Sequence, residues 1–286
     1  MDRRSLIKNA GIAGVLAAGI APAVHAQAAV RWRLASSFPK PLDTIYGGAE
    51  VFSNAVKAMS GGKFEISVHA AGELMPAFGV VDGVQQGSVE AAHTVPYYFY
   101  GKNPAFALGS AIPFGMIPQS IPGADLYPAL EKGTLDALEW VGPYDDQKLG
   151  FNKVAKFYYY PGWWEGGPQL DFYINTKAWE GLPAEYKAVV EAAAAHANIT
   201  MTAKYDARNP IALKQLVGSG TQLKPFSQDV MNAAFKSAQQ IYSELNNSNP
   251  EWKKVYGDWA KFLADQNAWF RFTEGTFDRF MQQQKL

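Results

Sequence analysis

Tyr127–Glu139 (YPALEKGTLDALE) repeats Val81–His93 (VDGVQQGSVEAAH). Gly87 aligns with Gly133, Ser88 with Thr134, Val89 with Leu135, Glu90 with Asp136 and Ala91 with Ala137. Each copy reads as a short amphipathic helix, a glycine and an apolar strand. A helix often ends on a residue at positive φ, where glycine alone escapes the Cβ penalty. Two such units predict two related α/β lobes, with the strand ends facing the cleft where open α/β sheets bind ligands. Two unrelated helix–strand turns would match this way only by chance.

Outward from the first copy, the pattern extends toward the N-terminus. Val30–Ala35 (VRWRLA) alternates as a half-buried strand does, and so does Phe64–His69 (FEISVH). Between them, Ile45, Ala49, Phe52 and Val56 recur at helical spacing, after a loop carrying Pro39, Pro41 and a capping Asp43 or Thr44. Gly61-Gly62 stops that helix. Strand, helix, strand, helix, strand through Thr94 describes βαβ units on a mostly parallel sheet.

Outward from the second copy, Tyr158–Gly167 is aromatic and glycine-rich, and Leu170–Asn175 (LDFYIN) reads as one more strand. From Leu182 onward the pattern is helical only. Ala184–Leu216 predicts a long helix bent at Pro210, where a backbone donor is missing, and Asp229–Asn246 predicts another. Trp252, Val255, Trp259, Phe262, Gln266 and Trp269 form a seam on a final helix. Such a seam packs on the chain's own lobes or on a second subunit.

Residues 1–26 read as a targeting segment. Arg3-Arg4-Ser5-Leu6-Ile7-Lys8 resembles a twin-arginine export motif, Asn9–Val24 is a short apolar run, and Ala23-Val24-His25-Ala26 offers a cleavage site. Export in this pattern places the mature chain in the periplasm. The chain has no cysteine, which rules out disulfides and thiolate chemistry. Its formal net charge of +0 argues against a nucleic-acid partner, which needs a basic field.

No two of His69, His93 and His196 sit at a zinc-ligand spacing, and no nucleophile elbow, P-loop or dinucleotide fingerprint occurs. The acids are more informative. Glu139 precedes Trp140, Asp145-Asp146 follow, and Glu165 lies in the run PGWWEGG (161–167). An acid between tryptophan and glycine in an apolar stretch is a poor candidate for a solvated face. Such acids could hold a hard cation such as Na⁺ or Ca²⁺, act as a glycosidase-like acid/base pair, or simply lie in surface loops.

EKGTLDALEWVGPYDDQKLGF, YYYPGWWEGG, WRLASSFPKPLDTIYGGAE and AAHTVPYYFYGKNPAFALGSAIPFG together resemble the extracytoplasmic solute receptors of TRAP transporters, the DctP type. They are most similar to the subgroup that binds 2-oxo acids and lactate with a metal ion. The resemblance implies a two-lobe α/β receptor of the periplasmic-binding-protein kind with a C-terminal helical region. It also implies a pyruvate-like or lactate-like monocarboxylate ligand, delivery to a membrane permease, and no catalysis. Carried across on the matching motifs, the cation ligands would be Glu139, the backbone carbonyl of Trp140, and Glu165. Tyr97 or Tyr98 would contact the substrate, and Phe38, Trp140 and Trp164 would wall the pocket.

The chain departs from that family at one point. Phe114-Gly115-Met116 runs almost directly into Ile117-Pro118-Gln119-Ser120-Ile121-Pro122-Gly123, where the family carries a strand, a helix and another strand. A βαβ unit takes about 30 residues or more, so the second lobe is truncated. The resemblance places in that missing piece an arginine that grips the substrate carboxylate and a glutamine that completes the cation site. No arginine occurs between Arg33 and Arg208. The strand near Leu135–Trp140 would then expose an unpaired edge.

The expected layout is a signal segment at 1–26, a first α/β lobe at 27–115, a truncated second lobe with cleft segments at 116–176, and C-terminal helices at 177–286. The alternatives are a non-binding remnant that pairs subunits through the C-terminal helix, and a periplasmic glycoside hydrolase using Glu139 and Glu165.

Overall fold

The computed structural model describes residues 29–107, 121–164 and 167–284. The expected signal segment, the junction near Phe114 and Glu165 lie outside the described residues.

The strands are β1 Val30–Ser36, β2 Phe64–His69, β3 Ala91–Thr94, β4 Phe157–Tyr160, β5 Asp171–Ile174 and β6 Gln222–Pro225, and the main sheet has four of them in the order β2-β1-β3-β5. β1 is parallel to both β2 and β3, while β5 closes the sheet antiparallel to β3. The alternation expected for β1 is present. Trp32 and Leu34 point into the core, and Arg31 and Arg33 point outward to Glu65 and Glu90 on the flanking segments.

Helix α1 (Ile45–Met59) buries Ile45, Ala49, Phe52 and Val56, the spacing read from the sequence. It ends before Gly61 and Gly62, both at positive φ. Helix α2 (Val80–Gln85) leads to Gly87 and β3. Helix α3 (Gly123–Glu131) supplies the helix of the second repeat copy, and α4 (Pro143–Leu149) follows that copy. After α5 (Thr176–Glu180), helix α6 runs unbroken from Ala184 to Gly218 and passes through Pro210. Its first half lays Tyr186, Val190, Ala193 and Ala197 on the core formed by Trp32, Leu34, Phe52, Val56, Phe64 and Ile66. The alanines keep the α6 backbone close to α1. Helices α7 (Gln228–Ser248), α8 (Pro250–Phe272) and α9 (Glu274–Gln282) complete the chain.

The helix–glycine part of the repeat is reproduced bond for bond. In the first copy the N–H groups of Gly87 and Ser88 donate to Val84 O (3.0 Å) and Gly83 O (2.8 Å). In the second, Gly133 and Thr134 donate to Leu130 O (3.1 Å) and Ala129 O (2.9 Å). Gly87 and Gly133 have φ of 74° and 67°.

Three expectations are corrected. Leu135–Trp140 forms no strand: a strand needs a hydrogen-bonded neighbour, and among the described residues none lies beside it. The strand at Leu170–Asn175 exists as β5 but pairs with β3, so it joins the first lobe's sheet rather than the segments at 116–176. The region after Leu182 is not wholly helical, because β6 pairs parallel with β4. Gln222–Pro225 (QLKP) is exposed along its length and carries no alternation, so only its partner strand reveals it.

Candidate functional site

Three of the segments that line the site leave the C-terminal ends of parallel strands, where open α/β sheets place their ligands. Beyond β1, Phe38 is buried, its N–H donating to Ser36 Oγ (3.2 Å). Ala70 follows β2. Beyond β3, Pro96–Phe99 makes a 3₁₀ turn that carries Tyr97 and Tyr98 edge to face, with centroids 5.3 Å apart. Phe38, Leu42, Ile45, Tyr46, Ala70 and Val95 form one apolar cluster, against which Tyr97, Tyr98, Trp140 and Val141 pack. The structure therefore brings Phe38, Tyr97, Tyr98 and Trp140 together from three distant parts of the chain.

Trp140 is positioned by a close approach to Gly123. A Cβ on Gly123 would lie 2.6 Å from Trp140 Cη2, so the first residue of α3 must lack one. Trp140 Nε1 is buried without a hydrogen-bond partner among the described residues. Glu139, beside it, is exposed. Burial and then the Glu139 charge push the Tyr98 phenol up, and burial, Asp146 and Glu139 do the same to Tyr158. Both phenols therefore stay protonated and can donate. Tyr158 was not among the residues singled out from the sequence. It sits in an aromatic run, with nothing local to mark it off from Tyr159 and Tyr160.

The remaining candidates lie elsewhere. Trp164 packs edge-on to Trp163 (5.3 Å) and toward Phe226 (6.2 Å), the residue that follows β6. Among the described residues no group of three or more metal-ligating side chains gathers. Glu139 and the Trp140 carbonyl are hard oxygen donors suited to Na⁺ or Ca²⁺, but they fall short of the six to eight oxygens that Ca²⁺ takes.

Asp145 and Asp146 are buried under phenols. Tyr205 donates to Asp145 Oδ2 (2.5 Å) and Tyr158 to Asp146 Oδ2 (2.5 Å). Burial raises both acids, Asp146 to about 7. These acids anchor α4 to α6 and β4.

His93, the last residue of the first copy, is also buried. It stacks on Phe172 (5.1 Å), meets Phe38 edge-on (5.3 Å) and has Nδ1 3.2 Å from Ser36 Oγ. Burial lowers it from 6.5 to about 3, so the ring is neutral.

The chain is 37% identical to a monocarboxylate 2-oxoacid-binding periplasmic protein of Nostoc sp., over 88% of this chain and 89% of the relative. That alignment runs over 324 residues against the 286 present here, so the relative carries sequence that this chain lacks. A TRAP transporter solute-binding protein from Bordetella bronchiseptica, a mixed-occupancy dimer with copurified calcium and picolinate in one active site and an apo site, superposes with a TM-score of 0.85. It is 36% identical and the match covers 89% of this chain and 98% of that one. A TRAP periplasmic solute-binding protein from Pseudoalteromonas atlantica, with bound sodium and pyruvate, shares the fold at a TM-score of 0.81 and 24% identity, covering 90% of this chain and 99% of that one. The family profile of the DctP proteins matches residues 35–117 and 114–249, two stretches that meet where the missing segment was expected. The chain belongs to the bacterial extracellular solute-binding proteins of family 7, the DctP family.

Proposed function

We propose that this chain is the extracytoplasmic receptor of a TRAP transporter that captures a 2-oxo or 2-hydroxy monocarboxylate together with Na⁺ or Ca²⁺ and hands it to the membrane permease. The observation that carries this reading is the convergence of Phe38, Tyr98 and Trp140 beside Glu139 in a chain 37% identical to a monocarboxylate 2-oxoacid-binding protein and 36% identical to a receptor with calcium and picolinate. Among the described residues no helix is long and apolar enough to cross a membrane.

In this reading Glu139, the Trp140 carbonyl and Glu165 hold the cation, which supplies positive charge for the substrate carboxylate and its 2-oxygen. Tyr97 or Tyr98 donates to the substrate, and Phe38 and Trp140 exclude water. No bond is made or broken, so the chain acts as a receptor and not as an enzyme. The arginine that the family uses on the carboxylate has no counterpart between Arg33 and Arg208. A charge-assisted hydrogen bond contributes about 1.5–3 kcal/mol, so affinity falls by roughly tenfold to a hundredfold relative to an intact receptor.

A second copy of the chain is the further partner. Phe262, Trp269, Phe272, Phe277 and Phe280 are 57–72% exposed along α8 and α9, and the Bordetella relative is a dimer. Sedimentation of the mature chain should give a dimer, and Phe272→Glu should give monomers.

The deciding experiment is a thermal melt of the chain from Gln27 with pyruvate or lactate, each with and without Na⁺ or Ca²⁺. A ligand specific to the folded state adds about 2.7 kcal/mol at a hundred times its dissociation constant. A rise that needs acid and cation together supports the reading. A melt indifferent to every combination overturns it.

A further inference from the structure

The first half of α6 packs on the first lobe and its second half packs on α4, so α6 is a spine joining the two sides of the site. The second half is clipped to α4 by Tyr205 on Asp145 (2.5 Å), by the Tyr144 N–H donating to Asn209 Oδ1 (3.0 Å), and by Gln147 on Gln215 (3.0 Å). Spine, α4 and first lobe meet at one carboxylate. Asp43 lies in the loop between Phe38 and α1. The Tyr144 hydroxyl donates to its Oδ1 (3.2 Å) and Oδ2 (3.3 Å). Lys204 of α6 donates to its Oδ2 (2.8 Å) and its backbone carbonyl (2.6 Å). Lys148 of α4 pairs with Oδ1 and donates to Pro41 O (3.3 Å). The Lys148 ammonium also lies 4.7 Å from the centre of the Tyr144 ring.

Asp43 does not cap α1: the N-cap is Thr44, and neither side chain makes a cap hydrogen bond there. Burial pulls the Asp43 carboxyl up, yet hydrogen bonds from Lys148 and Lys204 hold it down at about 2, so it is charged at any periplasmic pH. Phe38 stands five residues before it on one wall, and Trp140 stands three residues before α4 on the other.

We propose that Asp43 is a positioning residue for ligand capture: by gathering Lys148, Lys204 and Tyr144, it pins the Phe38 wall against the Trp140 wall without touching the ligand. The proposal rests on the receptor reading, but only for its affinity arm. Removing the pin lowers the population of the apposed arrangement, and apparent affinity falls by the same factor.

The test uses paired spin labels. The chain has no cysteine, so Lys63→Cys in the first lobe and Lys132→Cys after α3 carry the only labels. In the parent chain the label–label distance should be narrow and should widen at high salt, which screens exposed charges. Asp43→Asn should broaden that distance at low salt, and Asp43→Glu should restore it. Pyruvate affinity in the presence of Ca²⁺ should fall by about threefold to tenfold in Asp43→Asn, the scale of losing a few half-exposed ion pairs. Lys204→Met, which removes one arm only, should give a smaller change of the same kind and serves if Asp43→Asn does not fold. A folded Asp43→Asn or Lys204→Met chain with the parent's distance distribution overturns the proposal. A parent chain that binds neither pyruvate nor lactate, yet whose distance still depends on Asp43, overturns the receptor reading and leaves the pin standing.

Discussion

The two repeat copies end their helices with the same hydrogen bonds and the same left-handed glycine, and then part company. After Gly87 the chain enters β3, held between β1 and β5. After Gly133 it runs on as irregular backbone to Trp140. The helix cap is a local device and survives wherever its residues survive. The strand is a contract with neighbours, and among the described residues none pairs with the second copy. The aligned end residues show the result: His93 is 2% exposed, while its counterpart Glu139 is exposed.

The largest expected effect separates those two end residues. His93 titrates at 6.5 when unfolded and near 3 when folded, so below pH 6.5 the unfolded chain takes up a proton that the native chain refuses. Stability from this residue is full above pH 6.5 and declines as pH falls toward 3. By pH 4.5 the loss should reach about 3 kcal/mol, since each unit is worth about 1.4 kcal/mol. His93→Gln should flatten that part of the acid slope in urea melts taken from pH 7 to 4.5. Glu139→Gln should abolish the melting shift that requires Na⁺ or Ca²⁺. An identical acid slope in parent and His93→Gln chains would refute the first half of this contrast.

Next in size is the residue two beyond each glycine. Val89 is 1% exposed and packs with Val80, Val84 and Phe99, whereas Leu135 is only half-buried. Val89→Ala should cost about 2 kcal/mol in denaturant unfolding, while Leu135→Ala, which deletes more carbon, should cost under about 1 kcal/mol. Equal costs would mean that the second copy is as well packed as the first.

The smallest effect should be common to both copies. Gly87→Ala and Gly133→Ala each force a Cβ into the left-handed region, at about 1 kcal/mol apiece. Similar drops in melting midpoint would show that the cap works independently of the strand after it. A null effect at Gly133 alone would show that the second helix lies outside the cooperative unit.

Much of this was legible locally. The helical spacing of α1, the alternation of β1 and β2, and the glycine stops all appear where the residues place them. The clustering of Phe38, Tyr98 and Trp140 was legible only through family resemblance, because Phe38 and Trp140 lie far apart in the chain. β6 had no signal at all, being four exposed residues without alternation. Asp43 read as a cap, since nothing near it in sequence announces Lys148, Lys204 or Tyr144.

The sequence alone determined the periods, the glycine caps, the family and the absence of an arginine between Arg33 and Arg208, because these depend on residue identity and nearest neighbours. Only the tertiary structure decided which apolar runs became strands, that β5 closes the first sheet, that Asp145 and Asp146 are buried under phenols, and that Asp43 joins three elements. Those outcomes depend on hydrogen bonds and charge pairs between residues brought together by the packing of α6 across both halves.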